Sequence, residues 1–285
     1  MKDEVHVALV QLATEWLNPA ENRKKMLGYI AAVCEQAPTD LIVFPELATT
    51  GYIMGRDADF NERFIEAAEK IPGPTTEAIG IEAQKHRVHI VLGMAQLHPA
   101  IPATLYNAAV LIDSEGRLRG VHHKWHIPAE EIHYFYPGST TDVYETELGV
   151  IGMMVCYDSE MPELPRTFAL KGAEIMVAVY NWGWPRGTYG PGRLSRMAAV
   201  RALENQVFFL ACGKVGQEGA KSFYGNSTIA GPDGELLYED KPEHPDAEKV
   251  IRATLRRRDL IRIRGYNTPF RNRRPELYGA LTEPF

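Results

Sequence analysis

Cysteine is scarce in this sequence of 285 residues, where only Cys34, Cys156 and Cys212 occur. The three lie far apart and lack the paired spacing of a disulfide framework or a thiolate metal cluster. Chains without disulfides are typical of a reducing compartment, so we expect this protein in the cytoplasm.

Long apolar runs and an excess of basic charge are also missing. The longest purely apolar stretches, such as 207–212, fall far short of the ~20 residues that cross a bilayer. The first residues mix Lys2 with Asp3 and Glu4 where a secretion signal needs an apolar segment, so we expect no export. With 31 basic and 37 acidic residues the net charge is −6, unlike a nucleic-acid binder. These absences predict a soluble protein whose partner is a small molecule, with no membrane or nucleic-acid partner.

The composition is that of an ordinary globular protein, with 45% hydrophobic residues. Apolar runs rich in β-branched residues alternate with helix-like stretches, which is typical of an α/β fold with buried sheets. No linker rich in glycine and serine divides the chain. We therefore predict one domain, 1–258, and an extension, 259–285, whose arginine and proline content indicates a segment packed on the domain or on a partner subunit.

Local patterns place the helices and strands. Asn18 and Pro19 combine an N-cap residue with a proline at the first helical position, which predicts a helix that ends before the next proline. Leu27, Ile30 and Cys34 share one face of this helix, so we expect Cys34 to be a core residue. Further helices are predicted over 75–87, 162–171 and 194–205, and strands over 5–10, 40–46, 88–95, 107–113, 150–155, 174–180, 206–213, 225–230, 235–238 and 249–255.

Two residues at strand ends are candidates for catalysis. Cys156 ends an apolar strand just before a helix, where free N–H groups and the helix dipole favour a thiolate. The alternative is a buried structural thiol. Glu46 follows the run 41–45 and is either a strand-end carboxylate that faces water or a desolvated general base. The pattern alone leaves both alternatives open.

Three histidines, His122, His123 and His126, surround Lys124. Imidazole is a common metal ligand, but no carboxylate or cysteine accompanies these histidines at a zinc-like interval. We therefore expect no metal site, and a metal hydrolase is the weaker alternative. Without further context Lys124 would be a solvated lysine, because buried lysines are rare.

Three segments occur in a fixed order, namely Phe-Pro-Glu-Leu at 44–47, His-Lys-Trp-His-Ile-Pro at 123–128 and Val-Cys-Tyr-Asp-Ser-Glu-Met-Pro-Glu at 155–163. Together they resemble the Glu, Lys and Cys motifs of the nitrilase superfamily of carbon–nitrogen hydrolases. The resemblance extends to the segment 273–278 and so covers almost the whole chain. It implies an α/β fold, a four-layer α-β-β-α sandwich that dimerises sandwich to sandwich, and no metal or organic cofactor.

The resemblance also implies a catalytic triad of Glu46, Lys124 and Cys156. Glu46 would take the thiol proton of Cys156, which would attack an amide-type carbonyl. Lys124 and the backbone N–H of Tyr157 would stabilise the oxyanion. Glu46 would then protonate the departing ammonia and activate the water that hydrolyses the thioester.

Family members carry a second glutamate, six residues before the proline of a Pro-Gly pair. Pro137 and Gly138 place it at Glu131, although the adjacent Glu130 leaves the assignment open by one position. Its implied role is to orient Lys124 or the substrate amide. A lysine between carboxylates is physically sensible, since buried charges need partners.

The residues after the nucleophile favour an amide as substrate. In this superfamily nitrile hydrolysis usually goes with Trp-Glu after the cysteine, whereas Tyr157 and Asp158 resemble the amidase and carbamoylase branches. We therefore predict an amidase; an N-carbamoyl amino acid or amine amidohydrolase is the nearest alternative, before a nitrilase or a non-catalytic binding protein. Many carbamoylases hold a substrate carboxylate with arginines where this chain has Ser159 and Glu160. That departure disfavours an α-carboxylate and permits an amide that bears an amine.

An aromatic segment, Tyr-Asn-Trp-Gly-Trp-Pro at 180–185, follows the strand after the nucleophile. Aromatic walls suit compact, partly apolar ligands. The alternative is that Trp182 and Trp184 pack at a subunit interface. The candidates for substrate binding are Tyr52, Tyr157, Glu160, Asn181 and Trp182.

Overall fold

The computed structural model of the chain describes residues 1–53, 58–183, 192–240, 247–267 and 269–283. The strands are β1 (Glu4–Gln11), β2 (Leu41–Val43), β3 (His89–Leu97), β4 (Leu105–Ile112), β5 (Leu118–His123), β6 (Val143–Thr146), β7 (Gly149–Val155), β8 (Ile175–Tyr180), β9 (Phe208–Gly213), β10 (Val215–Glu218), β11 (Lys221–Tyr224), β12 (Thr228–Ala230), β13 (Leu236–Glu239) and β14 (Lys249–Arg256). The α-helices are α1 (Pro19–Gln36), α2 (Ala58–Ala67), α3 (Pro74–His86), α4 (Glu163–Leu170), α5 (Arg193–Asn205) and α6 (Arg257–Tyr266). Short 3-10 helices lie at Ala129–His133, Cys156–Glu160, Pro275–Leu277 and Gly279–Leu281.

Two six-stranded sheets lie face to face, with the orders β14-β1-β2-β3-β4-β5 and β13-β12-β9-β8-β7-β6. Strands β1, β2 and β3 run parallel in the first sheet, as do β7, β8 and β9 in the second, and the remaining pairs are antiparallel. Alternate side chains of both sheets form the core between them, including the fully buried Leu9, Val43, Val91, Met153 and Val177.

Helices cover the outer face of each sheet. Ile30 of α1 and Ile79 of α3 pack on the first sheet, and Phe168 of α4 and Ala198 of α5 pack on the second. The four-layer α-β-β-α sandwich expected from the sequence is therefore confirmed. Among the described helices, none has both the length and the apolar composition that crossing a bilayer requires.

Helix α1 begins as its sequence predicts. The Asn18 side chain accepts a hydrogen bond from the Glu21 N–H (3.3 Å) and caps the first turn. Ile30 lies on the buried face as expected, but Leu27 and Cys34 are only half-buried. Both pack against the core from beside the buried stripe of Met26, Ile30 and Val33, so Cys34 meets the expectation of a core residue only in part.

The elements missing from the sequence prediction are the short or exposed ones, namely α2, α6, β5, β6, β10 and β11. Strands β5 and β6 each lie at one edge of a sheet, and their polar residues weaken the alternating pattern. Strand β2 stops at Val43, short of the predicted 40–46, because Pro45 has no N–H to pair. Helix α6 crosses the predicted boundary at 258 and buries Leu260 in the core, and that boundary remains a prediction.

The chain after β2 comes unusually close to β3. The Phe44 N–H donates to the Val91 carbonyl (2.8 Å), and the Gly93 N–H donates to the Pro45 carbonyl (3.1 Å). A Cβ atom at Gly93 would lie only 2.5 Å from the Cα atom of Glu46. Glycine at this position therefore determines where the backbone of Glu46 lies.

We expect Gly93→Ala to lower the melting temperature, because the new methyl group must push the backbone of Glu46 away from β3. The matched control is Gly28→Ala in α1, where a Cβ meets nothing within 4 Å. That change should raise the free energy of unfolding by up to about 1 kcal/mol. Thermal unfolding of both variants checks this, and equal shifts would contradict it.

Candidate active site

The ammonium group of Lys124, directly after β5, lies between two buried carboxylates. Its Nζ atom is 3.1 Å from Glu46 Oε1 and 2.8 and 2.9 Å from the two oxygens of Glu131. All three side chains are at most 3% exposed. Burial alone lowers the pKa of a lysine, but the Glu131 and Glu46 carboxylates outweigh it and raise the Lys124 pKa above its usual value. Lys124 is therefore a cation throughout the physiological pH range.

Asn107 on β4 joins the members of this cluster. Its side-chain Nδ2 group donates to Glu46 Oε1 (2.7 Å) and to Glu131 Oε2 (3.5 Å). Its backbone carbonyl accepts the backbone N–H of Lys124 (2.8 Å). The sequence prediction missed Asn107. The available signal was an amide side chain inside the apolar strand β4, where an unpaired polar group is costly.

Glu131 and the adjacent Glu130 differ in burial. Both lie in the 3-10 helix Ala129–His133, but Glu131 is 2% exposed and contacts Lys124, whereas Glu130 lies on the surface. The Tyr52 hydroxyl donates to Glu131 Oε1 (2.8 Å). Burial raises the pKa of Glu131, and the charge of Lys124 opposes that rise. The structure thus brings Glu131, and not Glu130, into the cluster.

Cys156 follows β7 and begins the 3-10 helix Cys156–Glu160 with a φ of 47°. This left-handed conformation costs a non-glycine residue about 1–3 kcal/mol. Hydrogen bonds hold the turn, since Ser159 Oγ donates to the Cys156 carbonyl (2.8 Å) and the Tyr180 hydroxyl donates to Ser159 Oγ (2.6 Å). Burial and the charge of Glu46 raise the Cys156 pKa well above its usual value, which Lys124 opposes, so the resting group is a thiol.

One backbone N–H connects the nucleophile candidate with the carboxylate candidate. The N–H of Asn181, just after β8, donates to Glu46 Oε2 (2.6 Å) and also faces the sulfur of Cys156. Tyr157 follows as the second residue of the 3-10 helix, where backbone N–H groups lack intrahelical partners. The predicted catalytic side chains therefore meet at one edge of the sandwich, and their roles remain predictions.

Asp158 accepts hydrogen bonds from both sides of this site. Its Oδ1 atom accepts the backbone N–H groups of Trp125 (3.0 Å) and His126 (2.9 Å), and its Oδ2 atom accepts the N–H of Val155 (3.2 Å). The His122 imidazole contacts Oδ2 at 2.9 Å. The buried carboxylate of Asp158 thus fixes the segment that follows Lys124 relative to the residue that precedes Cys156.

The sequence prediction used Asp158 only as a marker of the amidase branch and missed this positioning role. Burial alone raises the pKa of a carboxyl group, but the hydrogen bonds from His122 and His126 hold the pKa of Asp158 well below its usual range. Asp158 is therefore an anion, and its negative charge accepts hydrogen bonds from the surrounding N–H groups. Its position two residues after Cys156 was the available signal.

The histidines around Lys124 act as hydrogen-bond partners. His122 and His126 both contact Asp158, whereas His123 contacts Gln96 Oε1 (2.7 Å) on another side of β5. Burial lowers the His123 pKa to about 4. Within the described residues, no group of three or more histidine, cysteine, aspartate or glutamate side chains is arranged to hold a metal ion.

The proposed substrate-binding residues differ in their contacts. Asn181 is 7% exposed, and within the described ranges neither polar atom of its side chain has a partner. The carboxylate of Glu160 accepts two hydrogen bonds from Arg193 (2.6 and 2.7 Å), whose guanidinium lies 4.9 Å from the Trp182 ring centroid. A substrate amine would therefore compete with Arg193 for Glu160. Trp184 lies outside the described residues.

A second buried ion pair, between Lys214 and Glu218, supports Tyr52. Both side chains are at most 2% exposed. Glu218 also accepts the backbone N–H of Tyr52 (2.7 Å) and the hydroxyl of Thr14. This pair fixes the residue whose hydroxyl contacts the Lys124 cluster. Its sequence, Lys-Val-Gly-Gln-Glu, carries no periodic signal, so the pair was not predicted.

Comparison with known proteins identifies the family. The sequence profile of carbon–nitrogen hydrolases matches residues 6–264. The chain belongs to the carbon–nitrogen hydrolase family. This carbon–nitrogen hydrolase is 33% identical to a probable nitrilase of Schizosaccharomyces pombe, over 99% of this chain and 100% of that one. An (R)-stereoselective amidase of Pseudomonas is also 33% identical, over 82% of this chain and 80% of that one.

A solved structure agrees with the fold. A carbon–nitrogen hydrolase of Helicobacter pylori matches with a TM-score of 0.86 and 24% identity, over 99% of each chain. The resemblance to the nitrilase superfamily found in the motifs is therefore confirmed over the length of the chain. The protein is a hydrolase of that superfamily.

We expect Asp158→Asn to lower the free energy of unfolding at neutral pH by about 3 kcal/mol, because the new NH₂ group faces N–H donors. The pKa of Asp158 is depressed in the folded state, so its stabilisation is present at neutral pH and lost as the pH falls through the acidic range, below about 4. The difference between variant and wild type should therefore shrink in acid. Denaturant unfolding between neutral and acidic pH measures it, with the surface change Asp142→Asn as control. A difference that is independent of pH would contradict this account.

Proposed function

We propose that the protein hydrolyses a small linear amide to a carboxylic acid and ammonia, through a thioester on Cys156. The observation that carries the proposal is the cation of Lys124, which is held between Glu46 and Glu131. Glu46 in turn shares the Asn181 N–H with the thiol. This arrangement supplies a nucleophile, a neighbouring base and a fixed positive charge. The amidase among the 33% identical relatives supports the same chemistry.

The acylation half begins from a neutral thiol. Glu46 takes the proton from Cys156 as the sulfur attacks the amide carbon, and the carbonyl oxygen becomes an oxyanion. Lys124 and the Tyr157 N–H donate to that oxyanion. Lys124 does not act as the base, because its raised pKa keeps it protonated. The C–N bond then breaks, and the protonated Glu46 gives its proton to the leaving nitrogen, which departs as ammonia.

The deacylation half uses the same groups. Glu46, again a carboxylate, takes a proton from a water molecule whose oxygen attacks the thioester carbon. The second tetrahedral oxyanion faces the same donors, the C–S bond breaks, and the sulfur of Cys156 regains a proton from Glu46. The carboxylic acid leaves, and the enzyme returns to its starting state without a cofactor.

Glu131 acts as a positioning residue in this proposal. Two contacts with the Lys124 ammonium and one with the Tyr52 hydroxyl support that role. Without this carboxylate the ammonium would lose orientation, and its burial would favour the neutral amine. Tyr52, Tyr157, Asn181 and Trp182 are the residues that we propose to contact substrate. The side-chain amide of Asn181, which has no partner in the part of the chain that the structure describes, supports recognition of a polar group.

We also propose a cytoplasmic location, which the cysteine content predicts, and a homodimer or higher homo-oligomer, which the family resemblance implies. Three free cysteines support a reducing compartment. Leu170 of α4 and Val200 and Leu203 of α5 are about half exposed on one outer layer, at 46%, 50% and 55%. Exposed apolar side chains on one layer suit contact with a second copy. Sedimentation of the purified protein measures this association.

We expect wild-type protein to release ammonia from one or more compounds in a panel of aliphatic, aromatic and amino-acid amides. Cys156→Ala should lose at least about a thousandfold in kcat, because the nucleophile is gone. Cys34→Ala, which changes a half-buried cysteine outside the site, is the matched control. Mass spectrometry of the quenched wild type should show the acyl adduct. If only N-carbamoyl compounds or only nitriles are turned over, a carbamoylase or a nitrilase replaces the amidase as the proposed function. Undiminished turnover by Cys156→Ala would exclude the proposed nucleophile.

Adjacent glutamates give a second matched pair. Glu131→Gln should lower kcat at least about a hundredfold, because Lys124 loses one of its two negatively charged partners and is no longer held at the oxyanion position. Glu130→Gln changes a surface carboxylate one residue away, so we expect only a small change. Steady-state kinetics of both variants measures the contrast, and equal losses would show that Glu131 has no special role.

A further inference from the structure

Lys221 is a half-buried cation at the start of β11. Its ammonium group donates to the carbonyl of Ile53 (3.2 Å) and lies 4.3 Å from the centroid of the Tyr52 ring. Within the described residues it pairs with no carboxylate. A lysine ammonium has three N–H donors, so this contact leaves two for which the described part of the chain supplies no acceptor. Such a group, partly withdrawn from water, favours an anionic ligand.

The hairpin β10–β11 places Lys221 on the side of the proposed active site. Alternate residues of a strand share a face, so Lys221 and Phe223 lie on the same face of β11. Both contact Tyr52, since the Phe223 ring meets it edge-on with centroids 6.0 Å apart. The hydroxyl of that tyrosine reaches Glu131. The Lys221 ammonium is thus separated from the Lys124 cluster by one aromatic ring.

Three other cations of the described ranges lie around the site, and each pairs with a carboxylate. Lys124 lies between two carboxylates, Lys214 pairs with Glu218, and Arg193 pairs with Glu160. Charged groups that act on Lys221 from neighbouring elements are Glu130, Glu131 and Glu218, none of which forms an ion pair with it. Two of these three, Glu131 and Glu218, are already matched by buried lysines. Lys221 is therefore a cation at this site that a ligand can neutralise.

We propose that Lys221 binds an anionic group, a carboxylate, on the tail of the amide substrate. The proposal rests on the proposed amidase function, with the scissile amide at Cys156. Its substrates are short amides that carry a carboxylate at the other end. The ion pair of Glu160 with Arg193 then shapes the site and does not bind a substrate amine.

The test compares amides that differ in tail charge. Succinamate and glutaramate carry an anionic tail, and 4-methylpentanamide is a neutral amide with the shape of the first. We expect Lys221→Met to lower the ratio of kcat/KM for the anionic to the neutral amide by about tenfold or more, mainly through KM. Lys221→Arg should retain most of the ratio, because it keeps the charge. Lys24→Met removes a lysine that is 79% exposed on α1 and should leave the ratio unchanged.

Binding to Cys156→Ala protein separates this proposal from the amidase proposal. Calorimetry with succinamate should show affinity that falls about tenfold or more on adding Lys221→Met and that weakens with salt. This result would support the anion site even if no amide is hydrolysed. An unchanged ratio in the kinetic test, or equal affinity with and without Lys221, would overturn the proposal while leaving the amidase chemistry intact.

Discussion

The arrangement of the site depends on burying the ammonium of Lys124. A lone charge in a protein interior is strongly unfavourable, so the ion needs carboxylates and further hydrogen bonds around it. Glu46 and Glu131 supply the charges, and Asn107 supplies the donor that keeps the two carboxylates in place. Each of these groups would itself be costly to bury without the others. The cluster is therefore stable only as a unit, and the strands that carry it must meet in one register.

The same electrostatics sets the protonation states. Burial, together with the carboxylates that keep Lys124 charged, raises the pKa of Cys156. The lysine is therefore a cation while the cysteine is a neutral thiol. A charged lysine supplies a positive electrostatic field and hydrogen-bond donors, whereas a neutral thiol needs a base before it can act as a nucleophile. The shared N–H of Asn181 brings thiol and carboxylate together without neutralising either. One buried cluster of charges thus gives the lysine and the thiol different protonation states and different roles.

Much of the fold was predictable because its buried strands are continuous apolar runs, and each predicted strand or helix has a counterpart. The edge strands β5 and β6 were not, since their residues face both protein and water. The catalytic candidates were found by their motifs. Their supports were not, because contacts such as those of Asp158 with Trp125 depend on which segments meet in space. The choice between Glu130 and Glu131 likewise needed burial, which spacing alone does not give.

Rigidity of the site follows from where its polar groups lie. The space between the sheets is apolar, so the strands cannot slide past each other without exposing that core. The polar network lies at the ends of the strands, with Asn107 near the start of β4, and Asp158 joins two strand ends through backbone N–H groups rather than through flexible side chains alone. The 3-10 helix that contains Asp158 also holds Cys156 in its left-handed conformation, through the hydrogen bond from Ser159. The backbone strain at the nucleophile is therefore sustained by a network that the sandwich fixes, which keeps thiol and ammonium in position without a ligand.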